Sequence, residues 1–128
     1  MPYELNWEPH GVCRRYFGHV SIDERSRSFD LICSDTRFDA LRYTITDYLE
    51  VDGYEVTDDA TEEIAARHIG ALLTNPQIVI AAVAVDPRVV AAIRHFISLG
   101  FIAQPYEVFP TLAEARAWVA ARLRPRPG

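Results

Sequence analysis

Lysine is absent from this chain of 128 residues, and all thirteen basic residues are arginine. Alanine is frequent as well, and the coding bias of a GC-rich genome accounts for both without invoking guanidinium chemistry. Acidic residues outnumber basic ones by 18 to 13, for a net charge of -5, so the basic footprint of a nonspecific nucleic-acid binder is missing. Cysteine is scarce: Cys13 and Cys33 have no metal-ligand spacing and no need to pair in a reducing compartment. No segment approaches the roughly 18 consecutive apolar residues of a membrane helix, which argues against membrane insertion. The opening Met-Pro-Tyr-Glu-Leu-Asn-Trp lacks the basic and apolar regions of a secretory leader. A cytoplasmic protein is expected. No G-x-G-x-x-G or phosphate-binding loop occurs, so no nucleotide cofactor, or any other cofactor, is expected. Cys13 has no glycine-rich elbow around it, and Ser21, Ser26 and Ser28 lie in or beside a helical pattern. With no nucleophile placed on a strand-to-helix turn, a non-enzymatic protein is expected.

What is present is a scaffold. Hydrophobic residues make up 49% and charged residues 24% of the chain, ordinary values for one globular domain, expected over residues 1–123. Arg124-Pro125-Arg126-Pro127-Gly128 cannot continue a helix and reads as a disordered tail. The most informative stretch is Gln77 to Val85, nine uncharged residues rich in β-branched types and closed by Asp86-Pro87. Such a run is a strand buried on both faces, as in a parallel sheet flanked by helices. Before it, Tyr3 to Glu8 alternates apolar and polar residues, Pro9-His10-Gly11 turns, and Val12 to His19 returns, predicting an N-terminal hairpin. Capping-box spacings at Ser21…Glu24 and Thr111…Glu114 open helices ending near Ser34 and Leu123. Between them fall a strand from Arg42 to Tyr48, a helix from Asp58 to Leu73, a helix from Pro87 to Leu99 ended by Gly100, and a strand from Tyr106 to Phe109. The order β-β-α-β-α-β-α-β-α predicts an α/β fold with a single-layer mixed, mostly parallel sheet, an N-terminal β-hairpin and about four helices.

Charge is uneven along this scaffold. Asp47, Glu50, Asp52, Glu55, Asp58, Asp59, Glu62 and Glu63 precede any compensating base at Arg67. The stretch begins at the expected C-terminal end of a strand, the side of an open α/β sheet where ligands bind. Glu50-Val51-Asp52-Gly53 partly matches a calcium loop, but the first ligand position is then Tyr48, which has no carboxylate, and no metal site is expected. Carboxylates in the first turn of a helix also interact favourably with its dipole. The same groups could dock an arginine-bearing protein surface, with Asp47, Glu50, Asp52, Thr57, Asp58 and Asp59 as the candidate contact residues. His68 lies among Ile64, Ala71 and Leu72 in an apolar helical arc, where it is either a hydrogen-bonded core histidine or a ligand contact.

Thr44-Ile45-Thr46-Asp47-Tyr48-Leu49-Glu50-Val51, Leu73-Thr74-Asn75-Pro76 before the buried strand, Asp86-Pro87, and Phe109-Pro110-Thr111-Leu112-Ala113-Glu114-Ala115-Arg116-Ala117-Trp118 together resemble the small bacterial STAS-like, or SpoIIAA-like, proteins. The resemblance implies the fold of the anti-sigma-factor antagonists and a regulatory module acting through a protein partner. In those antagonists a Ser of an Asp-Ser-Ser-Gly-like motif at the start of the second helix is phosphorylated. The matching region here is Val56-Thr57-Asp58-Asp59, where Thr57 is the only hydroxyl, the Ser-Gly part is missing, and two carboxylates would repel a phosphate. A helix N-cap is the simpler role for Thr57. The related CRAL-TRIO lipid-transfer domains suggest an alternative, a carrier of a small apolar ligand or lipid. Its pocket would lie beside Phe96, Phe101 and Ile102, with His68 as a polar contact. A homodimer through the hairpin edge or an apolar helix is a further expectation.

Overall fold

In the computed structural model, which describes residues 3–123, the alternation at the N-terminus gives β1 (Tyr3–Glu8) and β2 (Gly11–Val20), an antiparallel hairpin. Then follow α1 (Ile22–Ser34), a 3-10 turn at Phe38–Ala40, β3 (Tyr43–Tyr54), α2 (Asp58–Thr74), β4 (Val79–Val83), α3 (Pro87–Ser98), β5 (Tyr106–Phe109) and α4 (Leu112–Leu123). The expected tail from Arg124 lies outside the described residues.

The five strands lie side by side in chain order, and every pair after the hairpin is parallel. Each crossover therefore steps one strand in the same direction, and right-handed connections place α1, α2 and α3 on one face. Helix α4, which follows β5, covers the other face over β3, β4 and β5. Strand alternation divides the core accordingly. Val12, Tyr16, Tyr48, Ile80 and Ala82 point under α1–α3, whereas Cys13, Ile45, Val79, Ala81 and Val83 meet Ala115 and Val119 of α4.

The helix ends follow from their caps. The Ser21, Thr57 and Thr111 hydroxyls accept the amides of Glu24, Ala60 and Glu114 at 3.2, 3.1 and 3.2 Å. The Glu24 carboxylate does not return the bond, so only half of that capping box forms. Asp86 caps α3 with Pro87 in its first turn, and Gly100, at φ 70°, supplies the left-handed residue just beyond its end.

Two boundaries differ from the sequence expectation. Strand β4 is limited to Val79–Val83, and Val85 is exposed, because β5 pairs with only four of its residues. Strand β3 runs through Asp52-Gly53 to Tyr54 instead of breaking into a loop at Tyr48. It carries extra residues opposite β2, between the Arg15–Asp47 and Phe17–Glu50 pairs and again before His19–Gly53, so bulges absorb the polar sequence while pairing continues. Glu50–Gly53 are thus extended strand and not the loop that the partial calcium-site match would need.

Candidate functional site

The acidic stretch divides into occupied and free carboxylates. Asp47 accepts the amide of Leu49 at 2.8 Å, and Glu50 pairs with Arg15, which also holds Glu4 at 3.1 Å. Glu55 accepts the amide of Ile22 at 3.3 Å. Asp52, Asp58 and Asp59 are exposed, and of these Asp58 alone has a base nearby, His95 at 3.8 Å. Thr57 spends its hydroxyl on the α2 cap. The six residues expected to form one recognition surface thus lie along one strand end and the helix after it, but only the last part presents open charge. Among the described residues no three His, Cys, Asp or Glu groups converge as metal ligands.

A second site lies inside the fold, between the sheet and α1–α3. It consists of two small adjoining cavities, of about 40 and 50 Å³, that share Arg14, Phe29, His68 and Tyr106 as walls. The first is bounded further by Arg25 and by Tyr16, Tyr48 and Tyr54; the second is apolar, with Ile32, Leu72, Ile78 and Ile80. Among the described residues no carboxylate lines either one. In a chain of net charge -5, two arginines therefore face an interior space without a counter-ion.

Arg14 reaches this space because β2 alternates: Val12, Arg14 and Tyr16 share the face under α1–α3, while Arg15 points to the ion pairs on the opposite side. Its guanidinium donates to the Ser28 hydroxyl at 2.9 Å and the Thr46 hydroxyl at 3.1 Å, both neutral acceptors, and its Nε is buried without a partner. Ser28 is held in turn, accepting from the Tyr16 hydroxyl at 2.6 Å and donating to the Arg25 carbonyl at 3.0 Å. Burial pushes the Tyr54 and Tyr106 hydroxyls well above their ordinary range, so both remain protonated donors. Neither makes a side-chain hydrogen bond among the described residues.

His68 stands at the junction of the two cavities. Its ring stacks on Phe29 at 3.9 Å and meets Phe96 edge-on at 5.2 Å, and Phe96 continues to Tyr106 at 5.7 Å, an aromatic file drawn from four elements. Nδ1 lies 2.8 Å from the Ile64 carbonyl, which can only accept, so the proton sits on Nδ1 and Nε2 is left as an acceptor. Burial lowers its pKa to about 4, with Arg14, Arg67 and Arg25 adding to the effect, and the ring is neutral at pH 7.

Of the residues expected around a ligand pocket, His68 and Phe96 border the cavities. Phe101 is 43% exposed and Ile102 packs beside Phe96 without lining either space. Beyond Gly100, Phe101 faces solvent while Leu99 and Ile102 pack against the cluster of Ile64, Ala65 and Phe96. The cavity also departs from an apolar carrier's in chemistry and size: it holds a guanidinium, and each part has room for roughly three or four waters, too little for a lipid chain. Arg14 and the tyrosines were missed by sequence reasoning. The available signal was an arginine at an inward position of a strand, in step with Val12 and Tyr16.

Neither a protein-family model nor a curated protein matches this sequence. Among solved structures, the anti-sigma factor antagonist SpoIIAA in its unphosphorylated form superposes with a TM-score of 0.63 over 92% of this chain and 97% of its own, at 13% identity. The fold is SpoIIAA-like. An uncharacterised DUF3478-family protein with a SpoIIAA-like fold, from Shewanella loihica PV-4, matches at a TM-score of 0.57 and 12% identity, over 91% of each chain. At such identities the shared property is the fold, which leaves function to the residues mounted on it. On this SpoIIAA-like scaffold the free carboxylates sit where β3 passes into α2, and the arginine-lined cavity lies beneath α2 itself.

Proposed function

We propose that this chain is a non-enzymatic regulatory module that works by binding another protein, with Asp52, Asp58 and Asp59 at the β3–α2 junction as its contact surface. The observation that carries this reading is the separation of charge along the acidic stretch. Asp47 and Glu50 are consumed by the fold, whereas the junction carboxylates and the neighbouring Glu62 and Glu63 are exposed, beside the half-exposed Val56. Carboxylates held on a strand end and a capped helix start are presented in a fixed arrangement, and pair well with guanidinium groups of a partner. The likeness to an anti-sigma factor antagonist, a protein named for its action on another protein, supports the same reading. Thr57 is an N-cap in this scheme rather than a phosphorylation switch.

The test compares immobilised wild type with the D52N/D58N/D59N variant in extracts of the source organism, at low and at about 0.3 M salt, where the Debye length shrinks to several ångströms. A partner retained by the wild type, released by salt and absent from the variant is expected, followed by its titration as a purified protein. Equal retention by both forms refutes the assignment of the surface.

A further inference from the structure

The interior cavity is lined by none of the acidic-stretch carboxylates. We propose that it is a binding site for a small organic carboxylate with a short apolar tail, the carboxylate held by Arg14 and the tail lying against Ile78 and Ile80. The argument begins with cost. A guanidinium withdrawn from water into a fold is expensive unless a counter-ion or a full set of acceptors compensates it. Arg14 has two neutral hydroxyl acceptors, an unpartnered Nε and no carboxylate lining the space around it. A core built for stability alone is served better by an aliphatic residue at this inward strand position. The missing element is an anion, and an arginine fork matches the planar oxygens of a carboxylate.

The surroundings narrow the ligand. Arg25 adds a second positive charge at the wall, and Tyr54 and Tyr106 offer protonated hydroxyls as further donors. The polar cavity has room for about three waters, the size of a carboxylate group, and the apolar one beside it for a tail of about two to four carbons. Arg14 and His68 border both spaces, so head and tail can be held at once. A phosphate would fill the polar part and leave the apolar part empty. Long-chain acids exceed both.

The experiment is a calorimetric and thermal-shift titration of the full chain at pH 7 with sodium butyrate, with sodium chloride, phosphate and n-butanol as comparison probes. The variants are R14M, which keeps the stem of the side chain, and Tyr106→Phe, which removes a single hydroxyl. Saturable stabilisation by butyrate is expected, with no saturable effect of n-butanol or phosphate. The dissociation constant should weaken at least about tenfold in R14M, the loss of one charge-assisted hydrogen-bonded pair. R14M without ligand should melt within a few degrees of the wild type or above it, because an uncompensated charge is removed. No saturable response to butyrate overturns the inference, as does an equal response in R14M, which would make the site apolar only. A saturable response to phosphate in place of butyrate overturns the carboxylate assignment. If R14M fails to fold, Tyr106→Phe decides: unchanged butyrate affinity there counts against the site.

Discussion

Acidification should weaken this fold through one residue before its carboxylates begin to titrate. His68 is buried between Phe29 and Phe96, its Nδ1 proton is committed to the Ile64 carbonyl, and its pKa in the folded chain is lowered to about 4. Burial is the largest cause; the bond to the Ile64 carbonyl opposes it by favouring the charged ring, and Arg14 of β2, Arg67 of α2 and Arg25 of α1 add to the lowering. In the unfolded chain the ring returns to about 6.5. Above that value neither state is protonated and the full stability is present. As pH falls, the unfolded chain takes up the proton first, and stability drops until the folded pKa is reached. Between pH 7 and pH 5 the linkage amounts to about 2 kcal/mol, at ~1.36 kcal/mol per unit once the unfolded ring is mostly charged. Urea unfolding in chloride buffers at pH 7, 6 and 5 measures it directly. The variant His68→Gln fills a similar volume without titrating, and its stability should change by less than about 0.5 kcal/mol over the same range. Parallel losses in wild type and variant would refute the buried neutral imidazole and locate the acid sensitivity elsewhere.

Two further outcomes follow from buried polar groups. Asn75, 2% exposed, donates to the carbonyls of Phe38 and Leu41 at 2.7 and 2.8 Å, so Asn75→Ala should destabilise by about 2–3 kcal/mol in chemical denaturation, the cost of two lost buried hydrogen bonds; the Phe38 carbonyl keeps the Leu41 amide, whereas the Leu41 carbonyl loses its side-chain donor. Burial raises the Cys13 thiol and, with help from Asp30, pushes Cys33 up to about 11; iodoacetamide at pH 7.5 should therefore label the folded chain about a hundredfold more slowly than the chain in urea, as followed by intact mass.

The elements that positioned themselves by local chemistry were legible in advance. Alternation in Tyr3–Glu8, the caps at Ser21, Thr57 and Thr111, Pro87 in the first turn of α3 and the buried apolar run each carry their physical reason within a few residues, and strand order follows from short right-handed crossovers. The extension of β3 was not legible, because Glu50, Asp52 and Gly53 have low strand propensity and are held extended by pairing with β2 across its bulges. The cavity was not legible either. It draws Arg14, Phe29, His68, Phe96 and Tyr106 from β2, α1, α2, α3 and β5, and no spacing within one element reveals that these side chains converge. His68 announced itself as an oddity in an apolar arc. Arg14 sat among ordinary strand residues and carried no such mark.

The linear strand order leaves two outer strands, and they are not equivalent as templates. At one margin β5 is four residues long, so an added strand would find only a short ladder to continue. At the other margin β1 offers six residues. A chain that lengthens this sheet, a second copy included, therefore finds the longer ladder beside β1, which the Arg116 fork on Glu8 at 3.1 and 2.8 Å ties to α4. Growth of the sheet is favoured on one side, so joining two copies there leaves the short β5 margins outermost.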